Sequence, residues 1–190
     1  MTASVDAPLK SDSRSDQELI TAINHGDADA FDVLYHRYRD WVVNLAYRFT
    51  GDRDLALDVL QETFLYFVKK FPGFRLTARL GTFFYPAVRN LSIAARRKTE
   101  RRQSSETEQK AIESLATTDP APAREEQLAA ALASLTESHR EVLLLRFVDG
   151  LSLAEIAEAT GIPLGTAKSR LHNALETLRH DARTKRFFEQ

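Results

Sequence analysis

The sequence predicts an all-α protein in which two small helical domains are joined by a flexible linker. Apolar residues recur at helical spacing through residues 16–98, with no strand-like alternation and no hairpin turn between apolar runs. Residues 101–127 are polar, largely acidic and free of aromatic side chains, and they include a Pro-Ala-Pro sequence, which is typical of a linker. Helical patterning resumes at residue 128. These observations predict a flexible tail over 1–15, a first domain over 16–100, a linker over 101–127 with one marginal helix near 109–115, a second domain over 128–183 and a basic tail over 184–190.

Composition restricts the chemistry that the chain offers. The 190 residues carry a formal net charge of −1 and contain no cysteine, so disulfides, thiolate zinc sites and cysteine nucleophiles are excluded. The five histidines are scattered, and no His-Glu-x-x-His motif or phosphate-binding loop occurs. No apolar run is long enough to span a bilayer, and the N-terminus lacks the apolar stretch of a signal peptide. We therefore expect a cytoplasmic protein that is not an enzyme, inserts in no membrane and holds no metal or cofactor.

Three helices are predicted before residue 74. Asp16 is the predicted N-cap of the first helix, which Gly26 ends, and Gly51 ends a long second helix. The third helix begins after Asp52 or Asp54 and is broken by the Pro-Gly pair at 72–73. Its core stripe comprises Ala56, Leu60, Phe64, Phe67 and Phe71.

The same third helix carries a second, polar face. Asp58, Glu62, Leu65 and Lys69 share that face, and Gln61 lies beside them. A polar face with an embedded leucine suits a helix that docks on another protein. An ordinary solvated face with one stray leucine fits the spacing equally well.

The fourth helix is predicted from "GTFFYPAVRNLSIAARRK". Its core face comprises Phe83, Phe84, Ala87, Val88, Leu91, Ala94 and Ala95. Tyr85, Arg89, Ser92 and Arg96 fall on the other side, where a ring could stack on a base and guanidinium groups could meet phosphates of a separated strand. Pro86 lacks an amide hydrogen, so we expect it in the first turn, with the helix starting near Tyr85.

The second domain has the pattern of a helix-turn-helix. Thr136 is the predicted N-cap of one helix, and Ser152 and Glu155 have capping-box spacing at the start of the next, which ends at Gly161. After the turn "GIPLG" a further helix should pack inward through Ala167, Leu171, Ala174 and Leu178. Its opposite face would lie in the major groove of DNA, although a helical hairpin with a solvated face is the alternative.

The segment "LTESHREVLLLRFVDGLSLAEIAEATGIPLGTAKSRLHNALETLR" resembles region 4 of the sigma-70 family of transcription initiation factors. "DVLQETF" and "YPAVRNL" are similar to region 2 of the same family. The resemblance covers roughly residues 16–179, and two domains without further sigma regions fit the extracytoplasmic-function (ECF) subgroup.

The resemblance implies a subunit that binds the clamp helices of core RNA polymerase, recognises promoter DNA and helps open the −10 element. Family members are often held by an anti-sigma factor, so such a protein is a further candidate partner, although nothing in the sequence identifies one. The residues expected to bind polymerase are Asp58, Gln61, Glu62, Leu65 and Lys69. Those expected at the −10 element are Arg75, Arg79, Tyr85, Arg89, Ser92, Arg96 and Arg97. Those expected at the −35 element are Thr166, Lys168, Ser169, Arg170, His172 and Asn173.

The sequence departs from the family pattern at four positions. Phe83 stands where a tryptophan is usual, Pro86 where a basic residue is usual, Ala94 where an aspartate is common and Asn173 where an arginine is frequent. These departures leave the fold and general role intact but prevent transfer of a base preference. The rival hypothesis is a stand-alone helix-turn-helix regulator, which would need neither the docking face nor the basic stripe.

Overall fold

A computed structural model describes the backbone of residues 12–106 and 123–184, and the side chains of 12–102 and 127–184. Within these ranges the chain is helical and contains no strand, which confirms the predicted all-α class. The helices are α1 (Asp16–Asn24), α2 (Ala28–Thr50), α3 (Arg53–Val68), α4 (Leu80–Glu106), α5 (Ala123–Ala133), α6 (Glu137–Phe147), α7 (Leu153–Thr160) and α8 (Leu164–His180).

The chain divides into two compact units, residues 1–102 and 103–190. Both ends of the segment predicted as a linker over 101–127 are helical, because α4 continues to Glu106 and α5 begins at Ala123. The marginal helix predicted near 109–115 lies outside the described residues, as do most of the two predicted tails. No helix in the described ranges is long and apolar enough to cross a membrane.

Aspartate, threonine and serine side chains cap the N-termini of three helices at positions that the sequence predicts. Thr136 caps α6, Asp52 caps α3, and Ser152 and Glu155 form the predicted capping box of α7. The predicted Asp16 cap of α1 is wrong. Ser15 caps this helix and forms a capping box with Glu18, whose carboxylate accepts from the Ser15 amide at 2.7 Å.

Asp16 is instead the first residue of α1, and its carboxylate reaches α2. One oxygen accepts from Arg37 Nη1 at 2.6 Å and the other accepts from the hydroxyl of Tyr38. Burial is the largest influence that raises the pKa of Tyr38, and the bond to Asp16 adds to it. Tyr38 therefore stays protonated at physiological pH and ties α1 to α2.

The first unit has a phenylalanine-rich core between α2, α3 and α4. Phe84 on α4 is fully buried, and its ring centroid lies 5.1 Å from Phe67 and 5.3 Å from Phe64 on α3. Tyr38 on α2 packs edge-on against Phe84 at 5.6 Å. The predicted α3 stripe is confirmed, with Phe71 only half-buried at its end.

The second unit packs α5, α6 and α8 around aliphatic side chains. Its core comprises Ala131, Leu135, Leu143, Ala174 and Leu178, against which Leu132, Leu171 and Leu175 pack. The guanidinium of Arg140 on α6 closes the end of α5 by donating to the carbonyls of Leu132 (2.7 Å), Ala133 (2.9 Å) and Leu135 (3.0 Å). These charge-assisted bonds join α6 to the last turn of α5 and to the loop that follows it.

Candidate nucleic-acid and polymerase interfaces

Helix α8 presents a polar face away from the second unit's core. Gly161, with φ of 69°, ends α7, and α8 begins at Leu164, two residues before Thr166. The buried side of α8 holds Ala167, Ala174 and Leu178, as predicted. Of the six residues expected at the −35 element, Lys168, Ser169, His172 and Asn173 are exposed, and Thr166 and Arg170 are half-buried. The helix-turn-helix therefore leaves these side chains on the outer half of α8.

Hydrogen bonds within α8 limit what the outer face can offer. The Ser169 hydroxyl donates to the Thr166 carbonyl at 3.0 Å, so its oxygen remains available only as an acceptor. Further along, Arg179 pairs with Glu176 at 2.6 Å and Arg183 pairs with Asp181 at 2.5 Å. The hydrogen bond from Arg183 lowers the pKa of Asp181 to about 2. The C-terminal end of α8 is therefore less basic than its sequence suggests, whereas Lys168, near the start of the helix, is exposed.

Two of the residues expected at the −10 element are buried. Tyr85 is 1% exposed and Ser92 is 0% exposed, so neither lies on a surface that DNA could reach, and the predicted stripe is wrong at these two positions. The ring of Tyr85 packs against Phe49 of α2 at 6.3 Å. The Ser92 hydroxyl is enclosed and has no hydrogen-bond partner among the described residues.

The buried face of α4 is rotated from the predicted one by roughly one residue's turn of 100°. Phe84, Tyr85, Val88 and Ser92 face inward, while Ala94, predicted to be core, is exposed. The rotation has a tertiary cause, because burying Tyr85 against α2 covers a whole aromatic ring. The helix therefore buries a different side from the apolar side that local periodicity predicts.

Pro86 lies inside α4 rather than in its first turn. The helix begins at Leu80, where the Arg79 carbonyl accepts from the amides of Thr82 (3.0 Å) and Phe83 (3.4 Å). Because proline has no amide hydrogen, the intrahelical bond that the Thr82 carbonyl would accept from residue 86 is missing. Burial of Leu80 and the aromatic residues after it outweighs this loss.

The remaining −10 candidates are arginines with access to solvent. Arg75 and Arg79 are exposed in the loop between α3 and α4, Arg97 is exposed on α4, and Arg89 is half-buried. Arg96 is exposed and pairs with Glu100 one turn later at 3.1 Å. The surface near the start and middle of α4 therefore offers guanidinium groups without the predicted tyrosine.

The outer face of α3 is exposed along its length. All five expected polymerase contacts lie in solvent, and Leu65 is 53% exposed. Three apolar side chains missed by the sequence reasoning, Leu57 (41%), Tyr66 (41%) and Val68 (46%), are exposed on the same helix. The spacing 57, 61, 65 and 68 would have indicated Leu57 and Val68, since these positions share one side of a helix. This side of α3 therefore combines carboxylates with solvent-exposed apolar groups.

No group of three or more histidine, cysteine or acidic side chains could hold a metal ion within the described ranges. The surfaces above are thus defined by arginine, amide, hydroxyl, carboxylate and apolar groups. Such groups are typical of surfaces that bind other macromolecules.

Comparison with known families gives two matches, one in each unit. Residues 34–102 match the family described as Sigma-70 region 2, and residues 131–180 match Sigma-70, region 4. The chain is 29% identical to the ECF RNA polymerase sigma factor SigW of Bacillus subtilis, over 86% of this chain and 95% of that protein. It is 36% identical to the ECF RNA polymerase sigma factor SigL of Mycobacterium tuberculosis, over 77% of this chain and 85% of that protein.

Solved structures show the same fold at lower identity. CnrH, solved in complex with the cytosolic domain of CnrY, aligns with a TM-score of 0.62 at 20% identity, covering 85% of this chain and 93% of that one. RpoE of Bartonella quintana, solved with the anti-sigma factor NepR, aligns with a TM-score of 0.58 at 24% identity, covering 78% and 94%.

The two domain matches and the relatives together define a sigma-type transcription initiation factor. The chain belongs to the ECF subgroup of the sigma-70 family. It therefore acts in promoter-specific initiation of transcription by RNA polymerase, and the rival reading as a stand-alone regulator is not favoured.

Proposed function

We propose that three surfaces of this chain divide the work of initiation. The outer face of α3 docks on the clamp helices of core RNA polymerase, the loop before α4 and the arginines of α4 hold the separated −10 strand, and α8 reads the −35 duplex. The observation that carries the proposal is the exposed face of α3. Binding of duplex DNA by a regulator acting alone does not require solvent-exposed leucine and valine side chains interleaved with carboxylates.

The α3 face has the composition of a docking surface. Leu57, Leu65 and Val68 would bury apolar area against a partner, at about 25 cal/mol per Å². Asp58 and Glu62 lie among them and would pair with cations on the partner, which sets orientation and raises the rate of encounter. A complementary partner surface therefore carries apolar pockets edged by arginine or lysine.

The −10 surface acts by electrostatics and base capture. Arg75 and Arg79 flank a short loop, and Arg89 and Arg97 continue the positive charge along α4. Guanidinium groups bind the phosphates of an extended strand, whereas base extrusion costs a few kcal/mol that contacts in the loop must offset. Tyr85 has no direct part in this step, because it is enclosed in the core.

The −35 surface acts by groove reading. Lys168 and Arg170 contact phosphates or guanine edges, and His172 and Asn173 offer hydrogen-bonding groups to base edges. Because the two units belong to one chain, polymerase binding makes the second promoter contact effectively intramolecular. The free chain should therefore bind promoter DNA more weakly than the holoenzyme does.

The proposal places the chain in the cytoplasm, with no metal or cofactor and no catalytic role of its own. CnrH and RpoE were each solved with a partner protein, and an anti-sigma factor is likewise a candidate regulator of this chain.

Charge reversal on α3 tests the docking surface. Glu62→Lys should weaken binding to core polymerase by about tenfold, since it replaces an attractive contact with a repulsive one. The matched control is Asp40→Lys, which reverses an exposed charge on α2. Affinity is measured by titrating core polymerase with labelled chain, and equal affinities for Glu62→Lys and wild type would contradict the proposed surface.

A further inference from the structure

One side chain of α1 holds the loop between α3 and α4 by both ends of its amide. Asn24 Nδ2 donates to the Phe74 carbonyl at 2.8 Å, and Asn24 Oδ1 accepts from the Gly73 amide at 2.6 Å. A backbone N–H only donates and a carbonyl only accepts, so this orientation of the amide is the one that satisfies both bonds. Two consecutive loop residues are thus fixed to a helix that precedes them by some 50 positions.

Asn24 is itself rigidly placed. It is the last residue of α1, and this helix is anchored by the buried side chains of Leu19 and Ile20. The Asp16 carboxylate fixes the other end of α1 to α2. The amide of Asn24 therefore fixes the loop relative to the α1–α2 pair.

The two bonds between Asn24 and the Gly73–Phe74 backbone form a clamp, and a few residues determine the path of the loop after it. Gly73 has φ of +103°, a conformation that favours glycine, so the chain turns sharply there. The ring of Phe74 packs 4.9 Å from Phe83, and Leu80 at the far end is fully buried. Between these fixed points lies the short stretch 75–79, which begins with Arg75 and ends with Arg79, both exposed.

Ring packing alone does not fix the backbone of this stretch, because a chain can rotate about a packed side chain. The two hydrogen bonds with Asn24, one donated and one accepted by its side chain, remove that freedom at the residues immediately before Arg75. We propose that Asn24 is a positioning residue for capture of the −10 strand: it touches no DNA, and it holds the Gly73–Phe74 backbone so that the loop presents its arginines in one arrangement. This inference rests on the proposed function of that loop.

Two variants disturb the clamp from opposite sides. Asn24→Ala removes both hydrogen bonds from the α1 side. Gly73→Ala leaves Asn24 intact but strains the turn, although the added Cβ would meet no atom within 4 Å. Gln17→Ala, an exposed position on the same helix, is the matched control.

The test uses holoenzyme assembled from full-length chain and core polymerase. The probe is a fork-junction DNA from a promoter mapped with the wild-type holoenzyme, with a duplex −35 segment and a single-stranded −10 segment. Asn24→Ala should weaken binding of this probe by about tenfold, from the loss of two hydrogen bonds. Gly73→Ala should weaken it by a similar factor, because strain at the turn shifts the backbone groups that pair with Asn24. Binding of a duplex −35 fragment and of core polymerase should change by less than about twofold, and base preference at the −10 positions should flatten.

The double variant separates a shared role from general destabilisation. If both changes act on one clamp, Asn24→Ala combined with Gly73→Ala should cost little more than either change alone. Equal losses in fork, −35 and polymerase binding would assign Asn24 a purely structural role and overturn the inference. Fork binding of Asn24→Ala equal to that of Gln17→Ala would also overturn it.

A loop variant distinguishes failure of this inference from failure of the proposed function. Arg75→Ala combined with Arg79→Ala removes the two cations without touching the clamp. If this variant loses fork binding while Asn24→Ala keeps it, the loop binds the strand and Asn24 does not position it. If the arginine variant binds the fork as the wild type does, the proposed role of the loop fails and the inference fails with it.

Discussion

Replacing Pro86 by alanine should stabilise the first unit, because it restores a hydrogen bond that α4 lacks. A proline inside a helix costs roughly 3 kcal/mol relative to alanine, through the missing amide and the contact with the preceding carbonyl. Proline also restricts the unfolded chain, and losing that restriction removes up to about 1 kcal/mol of the gain. Pro86 is only half-buried, so little packing is lost. The expected net increase in the free energy of unfolding is about 2 kcal/mol.

Urea denaturation followed by tryptophan fluorescence measures this change in the first unit alone. Trp41 is the single tryptophan of the chain and lies on α2. The midpoint should rise with an unchanged slope, which indicates a change in stability rather than in the area exposed on unfolding.

The matched control for this experiment is Asn90→Ala, an exposed substitution on the same helix. It should raise stability by less than about 1 kcal/mol, because it changes helix propensity only. A Pro86→Ala variant no more stable than the Asn90→Ala variant would refute the reasoning, because the restored bond would then contribute nothing.

Three other predictions concern the core of the first unit, the bonds from Arg140 to the end of α5, and the −35 surface. Tyr85→Ala should lower the free energy of unfolding of the first unit by about 3–5 kcal/mol, because the ring is buried. Trp41 fluorescence in urea measures this change. Loss of −10 binding with unchanged stability would contradict it and place Tyr85 on the DNA-binding surface. Arg140→Met should cost the second unit about 2 kcal/mol and speed amide hydrogen exchange in α5, whereas unchanged exchange would show that its three carbonyl bonds are dispensable. Lys168→Ala should weaken −35 binding and reduce the slope of log affinity against log salt by about 1, and an unchanged slope would remove Lys168 from the phosphate contacts.

Local sequence patterns predicted those features that neighbouring residues determine. The inward face of α8 follows a strict helical period from Ala167 to Leu178, and the structure buries it as predicted. The Ser152–Glu155 capping box depends on two side chains three positions apart, and it too is present. Such features need no knowledge of the rest of the fold.

The features that sequence reasoning missed depend on residues far apart in the chain. Around Tyr85, α4 has two overlapping apolar faces, and contact with Phe49 of α2 decides which one is buried. The clamp by Asn24 joins positions 24 and 73–74, and no local pattern marks it. The prediction for Pro86 is wrong for a related reason. Helix propensity favours proline in the first turn, but burial of Leu80 extends α4 further towards the N-terminus.

The central claim is that this chain confers promoter choice on RNA polymerase, and run-off transcription on a genomic DNA library tests it most directly. Core polymerase with the chain should initiate at a set of start sites that share −10 and −35 elements and are absent with core polymerase alone. The Glu62→Lys variant should lose those start sites in proportion to its loss of polymerase binding. An unchanged set of start sites, together with sequence-specific duplex binding by the chain alone, would contradict the account and indicate a stand-alone regulator.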